Sequence, residues 1–267
     1  MALKMTVAFS GNPRVQPLAD GRVKPENNDL EVVTVEEGML FFPNLQYDEF
    51  DASEMPISET LLAKERGDGS RWDWSALPVS LSRGHFCLDV LVNTTSGIEH
   101  LGDLKGKRIG VPDYHMAAAL WMRCAMKDLY GIEASDNVWY NGRTTDFSHG
   151  GTPLTGNPRI RPLLDDGGRA VVAEFYRKTG AFVADHHVIV QNRILKDNPW
   201  AAMALFKAFQ ESKELAYQDA RRQRSTYRYF QGNDEQDHAA IFGEDPYPLG
   251  LKAMRPEDIY HPSTLDT

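Results

Sequence analysis

The stretch Ile98–Ile132, IEHLGDLKGKRIGVPDYHMAAALWMRCAMKDLYGI, constrains the fold more than any other part of the chain. It reads as a capped turn (Leu101–Gly106), a short strand (Lys107–Val111), a brief connection and a long helix from about His115 to Tyr130. Gly131 stands where a helix stops. Ala118, Met122, Ala125 and Leu129 recur at helical spacing, which predicts one face packed on a sheet. A strand that feeds a helix through a tight loop points the first free N–H groups, near Met116 and Ala117, past the strand end, where an anion is well served. The same pattern also fits an ordinary strand–helix unit with no ligand.

A chain of 267 residues suffices for one large domain or two small α/β lobes. Its 42% hydrophobic and 25% charged residues are those of an ordinary globular protein. A net charge of −9 without a basic stripe argues against nucleic-acid binding. Cys87 and Cys124 form neither a metal spacing nor a disulfide framework, and Cys124 in the long helix reads as a small core residue. No run approaches the ~20 apolar residues of a membrane helix, so no membrane insertion is expected. MALKMTVAFSGNPR lacks the pattern of an export signal, which predicts a cytoplasmic protein.

Met5–Phe9 predicts a first strand, and the SGNPR turn after it carries Asn12 and Arg14, where ligands collect in open α/β sheets. Arg14 reads as an anion contact or as a solvated loop arginine. Leu30–Val35 predicts a second strand and Phe50–Ala52 a brief third. Ser53 and Glu54 fall at the following strand-to-helix junction and read as helix caps or ligand contacts, with Ser58 a second cap candidate and Pro56 in the entry turn. Leu77–Ser82 is a strand, after which Arg83 and His85 form a polar, ligand-facing pair. Past a short strand at Val138–Tyr140, the loop NGRTTDFSHGG holds Arg143, Ser148 and His149. Gly168–Thr179 predicts a helix and Ala181–Val190 a strand with His186 and His187 adjacent. Strand alternation sends these two to opposite faces, which makes them a poor metal pair. Asn198 and Pro199 predict the cap and first turn of a long helix reaching about Arg224.

No P-loop, complete GxGxxG, HExxH, GxSxG or CxxC is present. The residues alone describe an α/β protein with polar strand-end loops, suited to a small anion.

Several blocks in order carry a resemblance. They are DGRVKPE (Asp20–Glu26), FDASEM (Phe50–Met55), LPVSLSR (Leu77–Arg83), DLKGKRIGVPDYHMAAALW (Asp103–Trp121), YRKTGAFVADHHVIV (Tyr176–Val190), NPW (Asn198–Trp200) and FGEDPYPLGL (Phe242–Leu251). Together they resemble the 4,5-dihydroxyphthalate decarboxylase family, which has the type 2 periplasmic-binding-protein fold. The resemblance implies an α/β protein of two lobes with a ligand cleft between them. Residues 1–93 and 191–267 would form lobe one, and 94–190 lobe two. Three departures stand out. Phe86 and Cys87 replace an Arg-His pair; Asp113, His115 and Ala117 replace Glu, Gln and Thr; and Gly156 runs straight into Asn157, without the strand-bearing segment that family members have there.

For such a decarboxylase the resemblance implies a general acid, with His186 first and His85 and His149 next, because histidine titrates near neutral pH. The substrate contacts it implies are Asn12, Arg14, Ser53, Glu54, Arg83, Tyr114, His115, Met116, Ala117 and Arg143. No organic cofactor and no metal ligand follow from it. The implied partner is a small anionic or aromatic carboxylate, and self-association into a homo-oligomer is compatible with it. A solute-binding protein of the same fold, serving a transporter without catalysis, is the competing expectation.

Overall fold

A computed structural model describes residues 2–35, 37–66, 72–82, 90–142, 157–164, 168–222, 231–245 and 247–250. The chain divides into two compact units, one of Met1–Ser82 with Ala184–Ala253 and the other containing Arg83–Val183.

In the first unit the elements are β1 (Leu3–Ser10), α1 (Gln16–Ala19), β2 (Asn28–Val35), α2 (Glu37–Tyr47), β3 (Ala52–Pro56), α3 (Ile57–Glu65) and β4 (Trp74–Ser82). The second unit contributes β5 (Leu91–Asn93), β6 (Arg108–Val111), α4 (Ala117–Tyr130), β7 (Val138–Asn141), β8 (Ile160–Pro162) and α5 (Arg169–Thr179). The chain then returns through β9 (His186–Gln191), α6 (Asn192–Asp197), α7 (Ala201–Arg222) and α8 (Gln231–Phe242).

The five-stranded sheet of the first unit has the order β2-β1-β3-β9-β4. β1 pairs parallel with β2 and β3, whereas β9 runs antiparallel to both β3 and β4. All six residues of β9 are buried. Val7, Phe9, Ala52, Leu77, Val79, Val188 and Val190 form a core with Leu205, Ala208 and Phe209 of α7. The opposite face packs Met55, Trp74 and Ile189 with Ala63 of α3. Alternation along β9 thus sends Val188 and Ile189 to different cores, as the period-2 reading requires.

Several expected boundaries move, each for a local reason. The third strand is Ala52–Pro56 rather than Phe50–Ala52, because pairing with β9 carries it through Pro56. Pro56 itself is the N-cap of α3, with no side-chain cap, so neither Ser53 nor Ser58 caps that helix. Ala181, Val183, Ala184 and Asp185 are buried but lie outside β9, which begins only at His186. The long helix begins at Ala201; Asn198 instead closes α6, its N–H donating to Ile194 O, and its own carbonyl accepts from Ala201 N.

In the second unit β6 pairs parallel with β7, and β5 antiparallel with β8. α4 ends at Gly131 in the left-handed conformation, φ 64°, where glycine carries no Cβ penalty. Its buried face is Trp121, Met122, Ala125 and Met126, one step round from the expected stripe. Trp121 and Ala125 pack on Phe175 of α5 and on Ala181 and Val183, with Cys124 and Leu129 beside them, rather than on a sheet. Burial pushes the Cys124 thiol up to about 11, so it behaves as an apolar side chain. Among the described residues no helix is long and apolar enough to cross a membrane.

Phe9 is 1% exposed and meets Phe209 edge to face at 5.3 Å between ring centres. Phe9→Ala is expected to cost about 3–5 kcal/mol in urea unfolding. Met203→Ala, at a residue 58% exposed, is expected to stay within about 0.5 kcal/mol of wild type.

Candidate functional site

Strand directions bring polar groups to one end of the first unit's sheet. β1, β3 and β4 end where β9 begins, because β9 alone is reversed. Carboxyl ends of strands are where α/β sheets present ligand-binding groups. Ser10 closes β1, Glu54 is the middle residue of β3, Ser82 closes β4, His186 opens β9 and Asp185 directly precedes it. Asn12 and Arg14 follow in the loop after β1.

Glu54 is completely buried, yet three donors meet it. Ser10 donates its N–H and its hydroxyl to Oε2, at 2.9 and 2.5 Å. His186 Nδ1 lies 2.8 Å from Oε1. An ionised carboxylate only accepts, so Nδ1 carries a proton. His186 sits opposite Pro56, diagonally across the ladder from Glu54, which is within reach on a shared face. Its Nε2 stands 3.5 Å from Asp185 Oδ2, and Phe41 of α2 packs edge-on against the ring at 4.8 Å. Asp185 is held in turn by Ser82, whose hydroxyl donates to Oδ2 at 3.4 Å and whose carbonyl accepts the Asp185 N–H at 3.0 Å.

Burial alone raises the pKa of Glu54. The hydrogen bond and charge of His186, with the two bonds from Ser10, outweigh it and hold the carboxyl below its ordinary value. His187 faces the other way, where its Nε2 lies 2.9 Å from Thr60 Oγ1 and its Nδ1 has no protein partner among the described residues. Burial, then the charge of His186, push it down to about 4, so it is neutral at ordinary pH. The adjacent histidines therefore differ in setting, one against a buried carboxylate and one a neutral core group. Among the described residues no cluster of His, Cys, Asp or Glu is arranged to hold a metal ion.

Asn12 builds its own loop: its side-chain amide donates to Leu81 O at 2.7 Å and its Oδ1 accepts the Arg14 N–H. The Arg14 guanidinium also donates to Leu81 O and lies 3.8 Å over the ring of Tyr247. Ser212 of α7 donates to Arg14 O at 2.6 Å. The turn that carries Tyr247 is fixed by Asp245, which accepts from Lys213 at 2.5 Å and from Tyr217 at 3.1 Å. Ser53 points away from Glu54 and accepts from Asn44 at 2.8 Å in a buried contact.

In the second unit the connection before α4 is shaped by Asp113, which accepts the His115 N–H at its side chain and the Met116 N–H at its carbonyl. Met116 is the N-cap, so its amide is engaged and the expected free donor moves on to Ala117, the first helical residue. The Tyr114 N–H donates to Asn141, and Tyr114 O accepts from Arg123, whose guanidinium stacks on the Tyr114 ring at 3.9 Å. His115 is exposed. Arg83, His85, Phe86, Cys87, Arg143, Ser148 and His149 lie outside the described residues. Ser10 and Asp185 escape the sequence reading. Their signals, a serine closing a strand and an acid directly before His186, are visible but weak.

No protein-family model matches the chain. It is 24% identical over 328 residues to 4,5-dihydroxyphthalate decarboxylase of Comamonas testosteroni, covering 99% of this chain and 98% of that one. A protein of the same name from Pseudomonas putida is 31% identical over 140 residues, 52% of this chain and 53% of the other. The longer alignment spans 328 positions against 267 residues here, so at least 61 positions face gaps in this chain. Among solved structures, a protein of Bordetella bronchiseptica RB50 matches with TM-score 0.52 and 16% identity, over 98% of this chain and 87% of that one. The periplasmic aliphatic sulphonate-binding protein of Escherichia coli gives 0.47 and 14%, over 99% and 77%. The fold shared with the Bordetella structure is mixed α/β, with one reversed strand in a parallel sheet and the second unit inserted before it in the chain.

Because His187 is held neutral in the fold but titrates normally when unfolded, the unfolded chain binds more protons between about 6.5 and 4. Stability is expected to fall as pH drops through that window, by at most ~1.4 kcal/mol per pH unit from this group. His187→Gln, which keeps a polar atom toward Thr60, is expected to flatten that dependence in thermal melts taken from pH 7 to 4.

Proposed function

We propose that this chain, a relative of the 4,5-dihydroxyphthalate decarboxylases over nearly its whole length, is a carboxy-lyase for a small dihydroxylated aromatic carboxylate, with His186 as its proton donor. The observation that carries this reading is the buried contact between His186 Nδ1 and Glu54 Oε1 at the ligand-bearing end of the sheet. A carboxylate on one ring nitrogen favours the charged imidazole and leaves the other nitrogen to deliver a proton.

The reaction replaces a carboxylate by hydrogen. His186 transfers its proton to the ring carbon that bears the departing group, while a ring hydroxyl feeds electron density toward that carbon. The bond to the carboxylate breaks, its electron pair restores the aromatic ring, and CO2 leaves. A proton from water recharges the histidine, so the sum is carboxylate plus proton to arene plus CO2.

The substrate's carboxylate needs a fixed cation, and Arg14 is the described residue we assign to it. Its guanidinium has five N–H groups, of which Leu81 O takes part, and the Tyr247 ring stacks beneath it. Leu81 and Ser82 are neighbours on β4; the first anchors Arg14 and the second anchors Asp185 beside His186, which couples the two halves of the site.

Incubation with 4,5-dihydroxyphthalate and related aromatic acids, following CO2 and thermal stability together, tests the reading. Release of CO2 is expected, with His186→Ala lowering kcat by on the order of 100-fold or more. Stabilisation by these acids without CO2 would replace the enzyme by a solute-binding protein.

A further inference from the structure

Glu54 is an expensive group to place where it stands. A carboxylate with no exposed surface loses its hydration, and only well-aimed donors offset that loss. A structural role would be met as well by an apolar residue of similar size. The donors instead come from the strands on either side: Ser10 of β1 gives Oε2 two hydrogen bonds, and His186 of β9 gives Oε1 one. Both Ser10 groups bind one carboxylate oxygen, and His186 binds the other. The carboxylate plane is therefore set by Ser10, and the ring orientation by the carboxylate.

We infer that Glu54, oriented by Ser10, is the positioning residue of the site: it fixes the proton on His186 Nδ1, holds the ring charged and aims Nε2 at the reacting carbon. This rests on the decarboxylase reading for its consequence in turnover, but not for its consequence in the ring itself. Among the described residues, the imidazole meets Glu54 from β3, Asp185 from the segment before β9 and Phe41 from α2, while neutral His187, next in the chain, turns to the other face. Two of these are acids, and they act differently. Glu54 makes a short bond at 2.8 Å, whereas Asp185 stands at 3.5 Å from Nε2, beyond good hydrogen-bond geometry. Glu54 is thus the acid that sets the tautomer. Asp185 lies beside the nitrogen that gives up its proton, where it favours recharging of the ring.

Glu54→Gln keeps the shape and removes the charge. In this variant kcat is expected to fall by about 10–100-fold with KM within about 3-fold of wild type. The pH at which activity is lost, as the donor loses its proton, is expected to move down. Glu54→Asp, which retains a carboxylate, is expected to recover part of the rate, and Ser10→Ala to fall between wild type and Glu54→Gln. Nitrogen-15 NMR of histidine-labelled protein, with His186 assigned by its absence in His186→Ala, reads the same effect without turnover. The His186 ring is expected to lose its charge at lower pH in Glu54→Gln than in wild type, and its neutral form to carry the proton on Nδ1 less completely. An unchanged titration of His186 in Glu54→Gln, or a loss confined to KM, overturns the inference. If Glu54→Gln does not fold, Ser10→Ala carries the same test, and an unchanged titration there overturns it too. If wild type releases no CO2 while the titration shifts as expected, the decarboxylase reading fails and the positioning of His186 by Glu54 stands.

Discussion

The return of the chain as a reversed strand is the constraint on which the first unit depends. β9 lies between β3 and β4 and hydrogen-bonds to both, so its backbone groups are satisfied on two sides in a fully buried position. Without it, β3 and β4 would present open edges to each other and the two cores on either face would lose Val188, Val190 and Ile189. Its reversal has a second consequence. The first residue of β9 arrives at the sheet end where β1, β3 and β4 finish, which puts His186 among the strand-end residues although it is separated from Glu54 by 132 positions.

Once β9 is placed, its period-2 alternation assigns two chemically identical side chains to different environments. His187 enters a packed layer near Thr60 and Trp74, where burial and the charge of His186 outweigh the pull of Glu54, and stays neutral. His186, one residue earlier, meets Glu54, and each stabilises the ionised form of the other in a region that excludes water. Burial is nearly equal for the two histidines, 7% and 1% exposed, so exposure does not separate them. The partner decides, and the partner is decided by strand register.

Much of this architecture was legible in the residues, because it is written in short-range pattern. The stop at Gly131, the LPVSLS strand, the helix before Gly180 and the opposite facing of His186 and His187 all follow from periodicity and from glycine at helix ends. What escaped reading was set at long range or by competing local turns. Glu54 reads as a cap candidate because it precedes a helix, and only the ladder with β9 makes it a buried acid. Ser53 reads likewise, but Asn44 claims its hydroxyl. At α4, Asp113 captures the His115 and Met116 amides in a turn, which delays the helix to Ala117 and removes one expected anion donor. Asn198 looks like the cap of the long helix, yet the short α6 before it takes that residue as its own ending.

Arg14 shows how distant segments are recruited to fix one charge. The loop after β1 has too few residues to hold a long cationic side chain, which left alone would sample many rotamers at an entropic cost. Its neighbours remove that freedom from two directions, Leu81 from β4 and the Tyr247 ring from the C-terminal turn, while Ser212 from α7 holds the Arg14 backbone at its carbonyl. The turn could not supply the ring unless it were itself held, and Asp245 does this by accepting from Lys213 and Tyr217, which project from the same helix as Ser212. Burial raises the pKa of Asp245, but the bonds from Lys213, the Tyr247 N–H and Tyr217, with the charge of Lys213, together outweigh it and lower the pKa. The turn around Asp245 and Tyr247, far from the sheet in sequence, thus acts on the strand-end loop through α7. The same logic governs both halves of the site: a charged side chain is aimed by a second group, and that group is immobilised by a third.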